Sequence, residues 1–384
     1  MKLFTAALCA LILWILQGVL YHRFWTRGLS VSLAFDRSYV VEGGCGALKE
    51  VITNAKSLPL PIVHVKFRMG RHLVFTSSKN FKVTDHNYRS DIFSCMPWQE
   101  TRRSLEFICR KRGYYTIPEI QLVSYDLFFS NHLVTSLSSD ACLYVYPRVI
   151  EAQRLALPFR NLTGQILAGK ALIFDPFETQ SVRPYQSYDP YRSVNWKATA
   201  RTGELKVNVY APTASWQVMF LLDIESERIW KDEDLIEESI RLCGSYSQLL
   251  IAEGIPVSVH TNGRDCLTHR CGVMEAGASR KHLQSVMELL ARIEVCEQAV
   301  PMEQVLEQLT ASRPHPSGGD HLIYVLISPG QRRSIIRAYE RLCAKSPGSQ
   351  WILPLRPDQK PQAAPGSQFT LIPWEVPYDY SQTS

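Results

Sequence analysis

The sequence lacks a strong excess of charge of either sign, and this limits the partners that composition indicates. The formal net charge is +6, and charged residues make up 20% of the chain. Such a mild balance fits a protein close to an anionic membrane surface or to an acidic partner. It is too small to indicate binding to nucleic acid, and no nucleic-acid-binding motif accompanies it. Apolar residues make up 46% of the chain, which allows a sizeable core and excludes wholesale disorder.

A disulfide framework and the common catalytic motifs are also missing. The ten cysteines are scattered through 384 residues, which favours reduced, buried thiols and a cytoplasmic bulk of the chain. The sequence has no Gly-x-x-x-x-Gly-Lys-Ser/Thr phosphate loop, no Gly-x-Ser-x-Gly elbow and no His-Glu-x-x-His helix. We therefore predict a protein that is not an enzyme and needs no cofactor. A hydrolase whose site is assembled from distant residues stays an alternative.

Metal-capable side chains cluster in one short stretch, at His260, Cys266, His269 and Cys271. Their spacing differs from that of the usual zinc fingers. We interpret them as ordinary strand and loop positions, and a bound metal is the alternative.

A long uncharged run occupies residues 3–21. As a helix it measures about 28 Å, enough to cross the hydrocarbon core of a bilayer. The run ends in bulky residues without the small-x-small pattern of a signal-peptide cleavage site, so we predict a single-pass anchor, with a cleaved signal as the alternative. Tyr21, Phe24 and Trp25 suit an interfacial belt. The positive charges that begin at Arg23 place the rest of the chain in the cytoplasm.

Short segments with alternating apolar residues, separated by turn residues, fill residues 28–148. The first covers residues 29–35, and others follow at 47–53, 62–69, 105–110, 113–117, 120–124 and 141–146. Helical periodicity is scarce here, so the pattern predicts an all-β sandwich domain after an anchor over residues 1–27. Residues 149–215 follow as a connector, irregular in its first part apart from helical potential near residues 167–172.

From residue 216 onward the pattern changes to strands that alternate with helices. The predicted strands are 217–223, 255–261, 321–328, 351–355 and 369–373, and the predicted helices are 232–252, 279–293, 302–309 and 331–344. Two of these strands are apolar throughout, which is typical of a parallel sheet covered on both faces. Residues 216–384 are therefore predicted to form an α/β domain.

Arginine and aromatic side chains concentrate in residues 182–205, ahead of the α/β domain. Guanidinium groups pair with carboxylates and stack on indole rings, so such a segment can build a charge-assisted network. The positions that define its spacing are Arg183, Tyr185, Asp189, Arg192, Trp196, Lys197, Ala200 and Arg201. This segment resembles the signature of the domain-of-unknown-function-58 family of bacterial and archaeal proteins, which runs Arg-x-Tyr-x-x-Gly-Asp-x-x-Arg-x-Ile-Asp-Trp-Lys-x-x-Ala-Arg. The chain departs from it with Tyr188 for Gly and Asn195 for Asp.

The resemblance implies that the α/β domain is von Willebrand A-like, which is a Rossmann-like fold. It also implies a membrane protein that works beside a MoxR-type AAA+ ATPase in protein assembly, maturation or envelope stress handling. Family members usually begin with two membrane spans, whereas one is visible here. The signature residues are then either a partner-binding surface or a structural lock that holds the connector on the sheet. Oligomeric state is not indicated.

Cation-binding A domains carry an Asp-x-Ser-x-Ser turn after their first strand and a second Asp after a later strand, because Mg²⁺ prefers hard oxygen ligands. Here Asp223 is kept, but Glu225 and Glu227 replace both serines, and Pro329 stands where the second Asp is expected. We therefore predict no working metal site, with Asp223 as the remaining candidate ligand. A metal-dependent binding module that uses Asp223 is the alternative function.

Overall fold

The computed structural model describes residues 2–76, 81–83, 86–170, 174–187, 189–212, 216–225, 229–295, 299–312, 321–344, 346–361 and 368–377. The chain divides into two compact units, Met1–Arg148 and Val149–Ser384.

Helix α1, Lys2–Phe24, opens the first unit. Among the described helices, α1 alone is long and apolar enough to cross a membrane. Its C-terminal end belongs to the core of the unit, where Tyr21 and Trp25 are buried and the Tyr21 hydroxyl donates to the Pro59 carbonyl at 2.7 Å. The Lys56 ammonium donates to the Trp25 carbonyl, which places a cation at the negative end of the helix dipole. The expectation that Tyr21 and Trp25 form an interfacial belt is therefore wrong, because the strands cover both side chains.

Two sheets make up the rest of this unit. The strands described are β1 (Leu29–Phe35), β2 (Tyr39–Val41), β3 (Cys45–Asn54), β4 (Leu60–Gly70), β5 (Leu73–Phe75), β6 (Phe81–Val83), β7 (His86–Cys95), β8 (Gln99–Cys109), β9 (Gly113–Tyr125) and β10 (His132–Tyr146). One sheet has the order β1-β3-β8-β5, and the other has the order β2-β10-β9-β4-β7-β6. All neighbours are antiparallel except β2 and β10.

Both sheets contribute to one hydrophobic core. Ile52 of β3 and Phe107 of β8 come from the first sheet, and Val65 of β4 and Ile120 of β9 come from the second. Burial alternates along β3 and β4, because successive side chains of a strand point to opposite faces. The predicted all-β region is confirmed, and the separate segments 113–117 and 120–124 prove to be one long strand, β9.

Opposite charges lie buried inside this unit. Arg89 Nε contacts Asp91 Oδ2 at 2.5 Å, and Arg103 reaches Asp91 Oδ1 at 3.0 Å. The Arg89 guanidinium also lies 4.6 Å from the ring centroid of Phe75. Glu50 of β3 is fully buried beside this group, and burial, reinforced by the charge of Asp91, raises the pKa of Glu50 to about 8. Glu50 therefore keeps its proton at neutral pH.

Helix α2, Ala152–Lys170, opens the second unit. The prediction of an irregular stretch at this point of the connector is wrong, because the segment forms a long helix. A hairpin of β11 (Phe174–Pro184) and β12 (Lys206–Pro212) follows, and between its strands lie a 3₁₀ turn, Tyr191–Ser193, and helix α3, Trp196–Thr202. The signature segment thus forms the end of this hairpin.

A mixed sheet forms the body of the second unit. In spatial order its strands are β15 (Cys271–Gly277), β14 (Val257–Asp265), β13 (Trp216–Leu222), β17 (His321–Ile327), β18 (Gln350–Leu355) and β19 (Thr370–Glu375), and β16 (Ile293–Glu294) pairs with β14. Five strands are parallel, and β15 is an antiparallel edge strand. The described helices beside the sheet are α4 (Ile229–Ala252), α5 (Arg280–Arg292), α6 (Met302–Ser312) and α7 (Arg333–Cys343).

Helices cover both faces of this sheet. On one face, Tyr339 of α7 packs edge-on against Trp351 of β18, in a cluster that also includes Leu306 of α6. On the other face, Tyr246 of α4 packs against Phe220 of β13. The predicted α/β region is confirmed as a mixed sheet with helices, while the von Willebrand A-like type stays a prediction. Because β13, β14 and β17 are parallel, their carboxyl ends lie at the same edge.

Candidate functional site

The hairpin end begins with a bidentate ion pair. Arg183 donates from both terminal nitrogens to Asp189, at 2.7 and 2.6 Å. Asp189 also accepts from the Gln186 backbone at 2.8 Å, which closes a tight turn. The hydrogen bonds from Arg183 lower the pKa of Asp189, so this carboxylate stays ionised. Two of the predicted signature residues are thereby brought together, and they fix the shape of the loop before α3.

Helix α3 is held at both ends. The Asn195 side chain caps its start by accepting from the Ala198 backbone at 2.9 Å, and its amide donates to Asn208 of β12 at 2.6 Å. Gly203 ends the helix in the left-handed conformation, with φ 74°, which glycine adopts at little cost. The Asn195 backbone donates to Lys206 at 2.8 Å. Asn195, a departure from the family pattern, thus works as the cap of α3 and ties it to the hairpin.

The remaining signature side chains face solvent. Trp196 is 66% exposed, Tyr191 is 70% exposed, and Arg192, Lys197 and Arg201 are exposed as well. We call these five residues the signature surface. Tyr185 lies half-buried beneath it, with its ring 5.6 Å from that of Tyr191. The surface combines two large aromatic rings with three cations on a short, fixed scaffold.

A single network that joins the arginines, the indole and the acid does not form in the described part of the chain. Within the described residues, Arg183 and Asp189 form a charge-assisted pair, while Arg192 and Trp196 are exposed. The physical reason is spacing, because α3 starts directly after Asn195 and carries Trp196 away from the ion pair. Tyr188, where the family has Gly, lies outside the described residues.

Asp223 lies at the carboxyl end of β13 and is fully buried. One of its oxygens accepts from the Asn262 amide at 2.7 Å and from the Glu225 backbone at 2.9 Å, and the other accepts from the Ser328 hydroxyl at 2.6 Å. Burial raises the pKa of Asp223 to about 6, although these three hydrogen bonds oppose the shift. Asn262 comes from β14 and Ser328 follows β17, so three parallel strands meet at this carboxylate.

Arg332 brings a positive charge to the same edge of the sheet. It pairs closely with Glu225 and lies 3.8 Å from Glu303 of α6. Glu225 also accepts from the Met302 backbone at 3.2 Å. The hydrogen bond to Glu225 and the charges of Glu225, Glu303 and Asp223 raise the pKa of Arg332. We call Asp223, Glu225, Asn262, Glu303, Ser328 and Arg332 the strand-end cluster.

A divalent cation fits this cluster poorly. Both oxygens of Asp223 are used by protein donors, and Glu225, which replaces a serine of the metal-binding pattern, is paired with Arg332. Pro329 offers no side-chain ligand, and Glu227 lies outside the described residues. Within the part of the chain that the structure describes, no group of three His, Cys, Asp or Glu side chains is placed to hold a metal.

Sequence reasoning identified Asp223 but missed Asn262, Ser328, Glu303 and Arg332. A usable signal was present for two of them, because Asn262 and Ser328 occur near the carboxyl ends of predicted parallel strands. Such ends meet at one edge of a sheet. Glu303 and Arg332 begin or precede helices, and their meeting follows from tertiary packing.

Comparisons with solved structures give only distant likenesses. The CARDB domain of a Pyrococcus furiosus protein, in complex with di-metal ions, has 11% identity and a TM-score of 0.19, over 29% of this chain and 90% of that one. The sporulation control protein Spo0M of Bacillus subtilis has 8% identity and a TM-score of 0.19, over 41% and 58%. A type I cohesin of Pseudobacteroides cellulosolvens has 11% identity and a TM-score of 0.20, over 31% and 94%. At these scores the likenesses support no inference about fold or function. No curated protein matches the chain.

A family model gives a specific match. The model described as "Protein of unknown function DUF58" matches residues 181–317. The matched region starts in β11, includes the whole signature segment and the strand-end residues Asp223 and Asn262, and ends five residues after α6. With this match and the motif positions from Arg183 to Arg201, residues 181–317 of the chain are similar to the DUF58 family.

Proposed function

We propose that the protein is a membrane-anchored adaptor or scaffold without enzymatic activity, which uses the signature surface to bind a MoxR-type AAA+ ATPase. The observation that carries this proposal is that Trp196, Tyr191 and Arg192 are exposed on a loop and a helix. The Arg183–Asp189 ion pair and the Asn195 cap hold this loop and helix in place. Exposed aromatic and arginine side chains are the residue types enriched at the centres of protein interfaces. Assembly, maturation or stress handling of envelope proteins is the process that the family resemblance suggests.

Burial distinguishes the two roles that the signature could have. A structural lock needs its side chains in contact with the fold, as Arg183 and Asp189 are. Trp196 instead leaves 66% of its surface in water, which gains little for folding. The scaffold beneath it is already capped and paired through Asn195, so little ordering is needed when a partner binds. We therefore assign the ion-paired residues Arg183 and Asp189 to the shape of the loop, and the exposed signature residues to binding.

The anchor is assigned to α1, whose leucine-rich surface is exposed along most of its length. The positive charges after it favour a cytoplasmic position for both units. We assign the second unit to the von Willebrand A-like type, since its parallel strands, antiparallel edge strand and strand-end Asp223 agree with that reading. In this unit the strand-end cluster supports the structure and does not carry out a reaction.

Co-purification tests the partnership. The full-length protein is solubilised from membranes, with and without nucleotide, and a retained AAA+ ATPase is identified by mass spectrometry. We expect Arg192→Ala and Trp196→Ala to lower retention at least about tenfold, as interface hot spots do, with unchanged thermal unfolding. Arg37→Ala is the matched control, because Arg37 has 70% of its side chain exposed in the other unit. If the wild-type protein retains no AAA+ ATPase in either state, the partnership is refuted. If both variants unfold early, the surface is structural.

A metal-dependent binding module using Asp223 is the second candidate function. Calorimetry of the full-length protein with Mg²⁺ and Mn²⁺ separates it from the first. Because the oxygens of Asp223 are taken by Asn262, Glu225 and Ser328, we expect no binding heat. Tight binding that is lost in Asp223→Ala would establish the metal module instead.

A further inference from the structure

The first unit displays bulky apolar side chains on two loops beside α1. Residues 127–129, between β9 and β10, are Leu127, Phe128 and Phe129, and all three are exposed, Phe128 by 61%. Residues 96–98, between β7 and β8, include Met96 and Trp98, of which Trp98 is 73% exposed. Contiguous exposed apolar residues of this kind mark an interaction site.

The first loop is fastened to the apolar part of α1. The Trp14 indole donates to the Ser130 hydroxyl at 3.0 Å, and the Gln17 amide donates to Asp126 at 3.2 Å. At Gly18 an added Cβ would lie 3.0 Å from the Asn131 side chain, so the glycine allows the helix and the loop to approach closely. Trp14 precedes the buried Tyr21 by about 10 Å along the helix axis. The loop therefore lies alongside the segment that is apolar enough to cross a membrane.

Asp126 pairs with several polar groups of the loop, and the apolar side chains of the loop are exposed. Asp126 accepts from the Ser130 backbone at 2.7 Å and from the Asn131 amide at 2.8 Å, and the Phe129 backbone donates to the Asp126 carbonyl at 3.1 Å. Pairing of these groups lowers the cost of placing the loop in a low-dielectric environment, because an unpaired polar group is costly in hydrocarbon. In water the polar groups of the loop could bind solvent instead, and exposure of the Phe128 ring to water would be unfavourable.

The second loop is also fixed. The Asn54 amide donates to the carbonyls of Cys95 and Met96 at 3.2 and 3.0 Å, and the Trp98 backbone donates to Lys56 at 3.3 Å. Lys56 in turn binds the carbonyl of Trp25 at the end of α1. Both loops hold an aromatic residue in the left-handed conformation, Trp98 with φ 60° and Phe129 with φ 57°. Bulky residues rarely adopt this conformation, and it occurs preferentially at functional sites.

We propose that residues 127–129 insert among the acyl chains of the membrane that α1 crosses, while Trp98 lies at the headgroup level of the same leaflet. We expect the loop to reach about 5–10 Å into the boundary between headgroups and acyl chains, which is the depth of interfacial amphipathic helices. An indole suits the headgroup region, because one edge is apolar and the other donates a hydrogen bond. This inference rests on the proposed anchoring by α1.

Photocrosslinking to lipid tests the proposal. The full-length protein carries p-benzoyl-L-phenylalanine in place of Phe128 and is reconstituted in vesicles of phosphatidylcholine and phosphatidylglycerol. After irradiation, lipid adducts on the peptide are measured by mass spectrometry. Position 13 in α1, where Leu13 is exposed, is the positive control. Position 39 is the negative control, because Tyr39 pairs with Tyr144 near the far end of β10, about 40 Å along that strand from His132.

We expect lipid adducts at positions 128 and 13 in similar yield, and none above background at position 39. Adducts at position 13 without adducts at position 128 would overturn the loop insertion and leave the anchor intact. Failure at position 13 would instead contradict the anchor itself. Equal labelling at positions 128 and 39 would show non-specific contact with vesicles and would also overturn the proposal.

Discussion

Replacing Glu50 with glutamine should remove a large pH dependence of stability from the first unit. Glu50 is fully buried on β3, and burial raises its pKa from 4.5 to about 8. In the unfolded chain the carboxyl group loses its proton near its ordinary pKa, whereas the folded protein retains the proton until about pH 8. The stabilisation from the neutral carboxyl is therefore complete below the unfolded pKa and is lost as the pH rises towards 8.

The size of this effect follows from the two pKa values. Between pH 5 and pH 8 the folded wild-type unit should lose about 3 kcal/mol of unfolding free energy through Glu50, at about 1.4 kcal/mol for each unit of pKa difference. Glu50→Gln keeps the shape of the neutral side chain and cannot ionise. We expect the variant to be nearly as stable as the wild type at pH 5 and more stable by about 3 kcal/mol at pH 8.

Hydrogen exchange of the full-length protein in detergent measures this locally. Peptides from β3 and β8 report the opening free energy around Glu50, after correction for the intrinsic pH dependence of exchange. Glu106→Gln is the control, because Glu106 lies on the paired strand β8 and faces solvent. The reasoning is refuted if wild type and Glu50→Gln protect these strands with the same pH dependence.

Three further predictions concern the second unit. Asn195→Ala should cost about 1 kcal/mol by removing the cap of α3, seen as faster hydrogen exchange of the helix, and unchanged exchange would contradict the capping role. Arg332→Ala should lower the free energy of unfolding at pH 7 by about 1–3 kcal/mol, seen as a lower thermal midpoint, because Glu225 loses its ion-pair partner. The exposed neighbour Arg333 should be replaceable by alanine without effect. Asp223, with its pKa raised from 3.8 to about 6, contributes stability that is fully present below pH 3.8 and is lost as the pH rises from there to about 6. Asp223→Asn should abolish this slope in thermal unfolding curves, and a persistent slope would assign it to another group.

Elements with strong periodicity could be predicted from the sequence. The apolar runs of β13 and β17 and the amphipathic helices α4 and α7 lie within a few residues of their predicted bounds. Helix α2 was missed, because Pro158 and Gly164 interrupt the pattern and both residues normally disfavour a helix interior. Tertiary packing overrides that local preference.

Burial explains what the sequence could not reveal about the candidate site. The residue types of the signature indicated either a network or a surface, and the choice depends on where α3 carries Trp196. At the strand ends, Asp223 stood out because a metal-binding pattern names it. Arg332 belongs to no such pattern, and its pairing with Glu225 requires the loop after β17 to return over the sheet edge. Patterns among neighbouring residues in the sequence do not predict the path of the loop after β17.

Strand β10 runs from His132, beside the loop fastened to α1, to Tyr146, next to the end of the first unit at Arg148. At the usual rise its 15 residues extend over about 50 Å. If the loop lies in the bilayer as proposed, the length of β10 sets how far along the strand the end of the first unit lies from the lipid surface. A one-residue deletion in this strand would therefore change the reach by only about 3 Å, but it would turn every following side chain to the opposite face. The distance between the lipid surface and the end of the first unit is thus coupled to the register of the sheet. A change in the length of β10 by one residue would also change which side chains form the core.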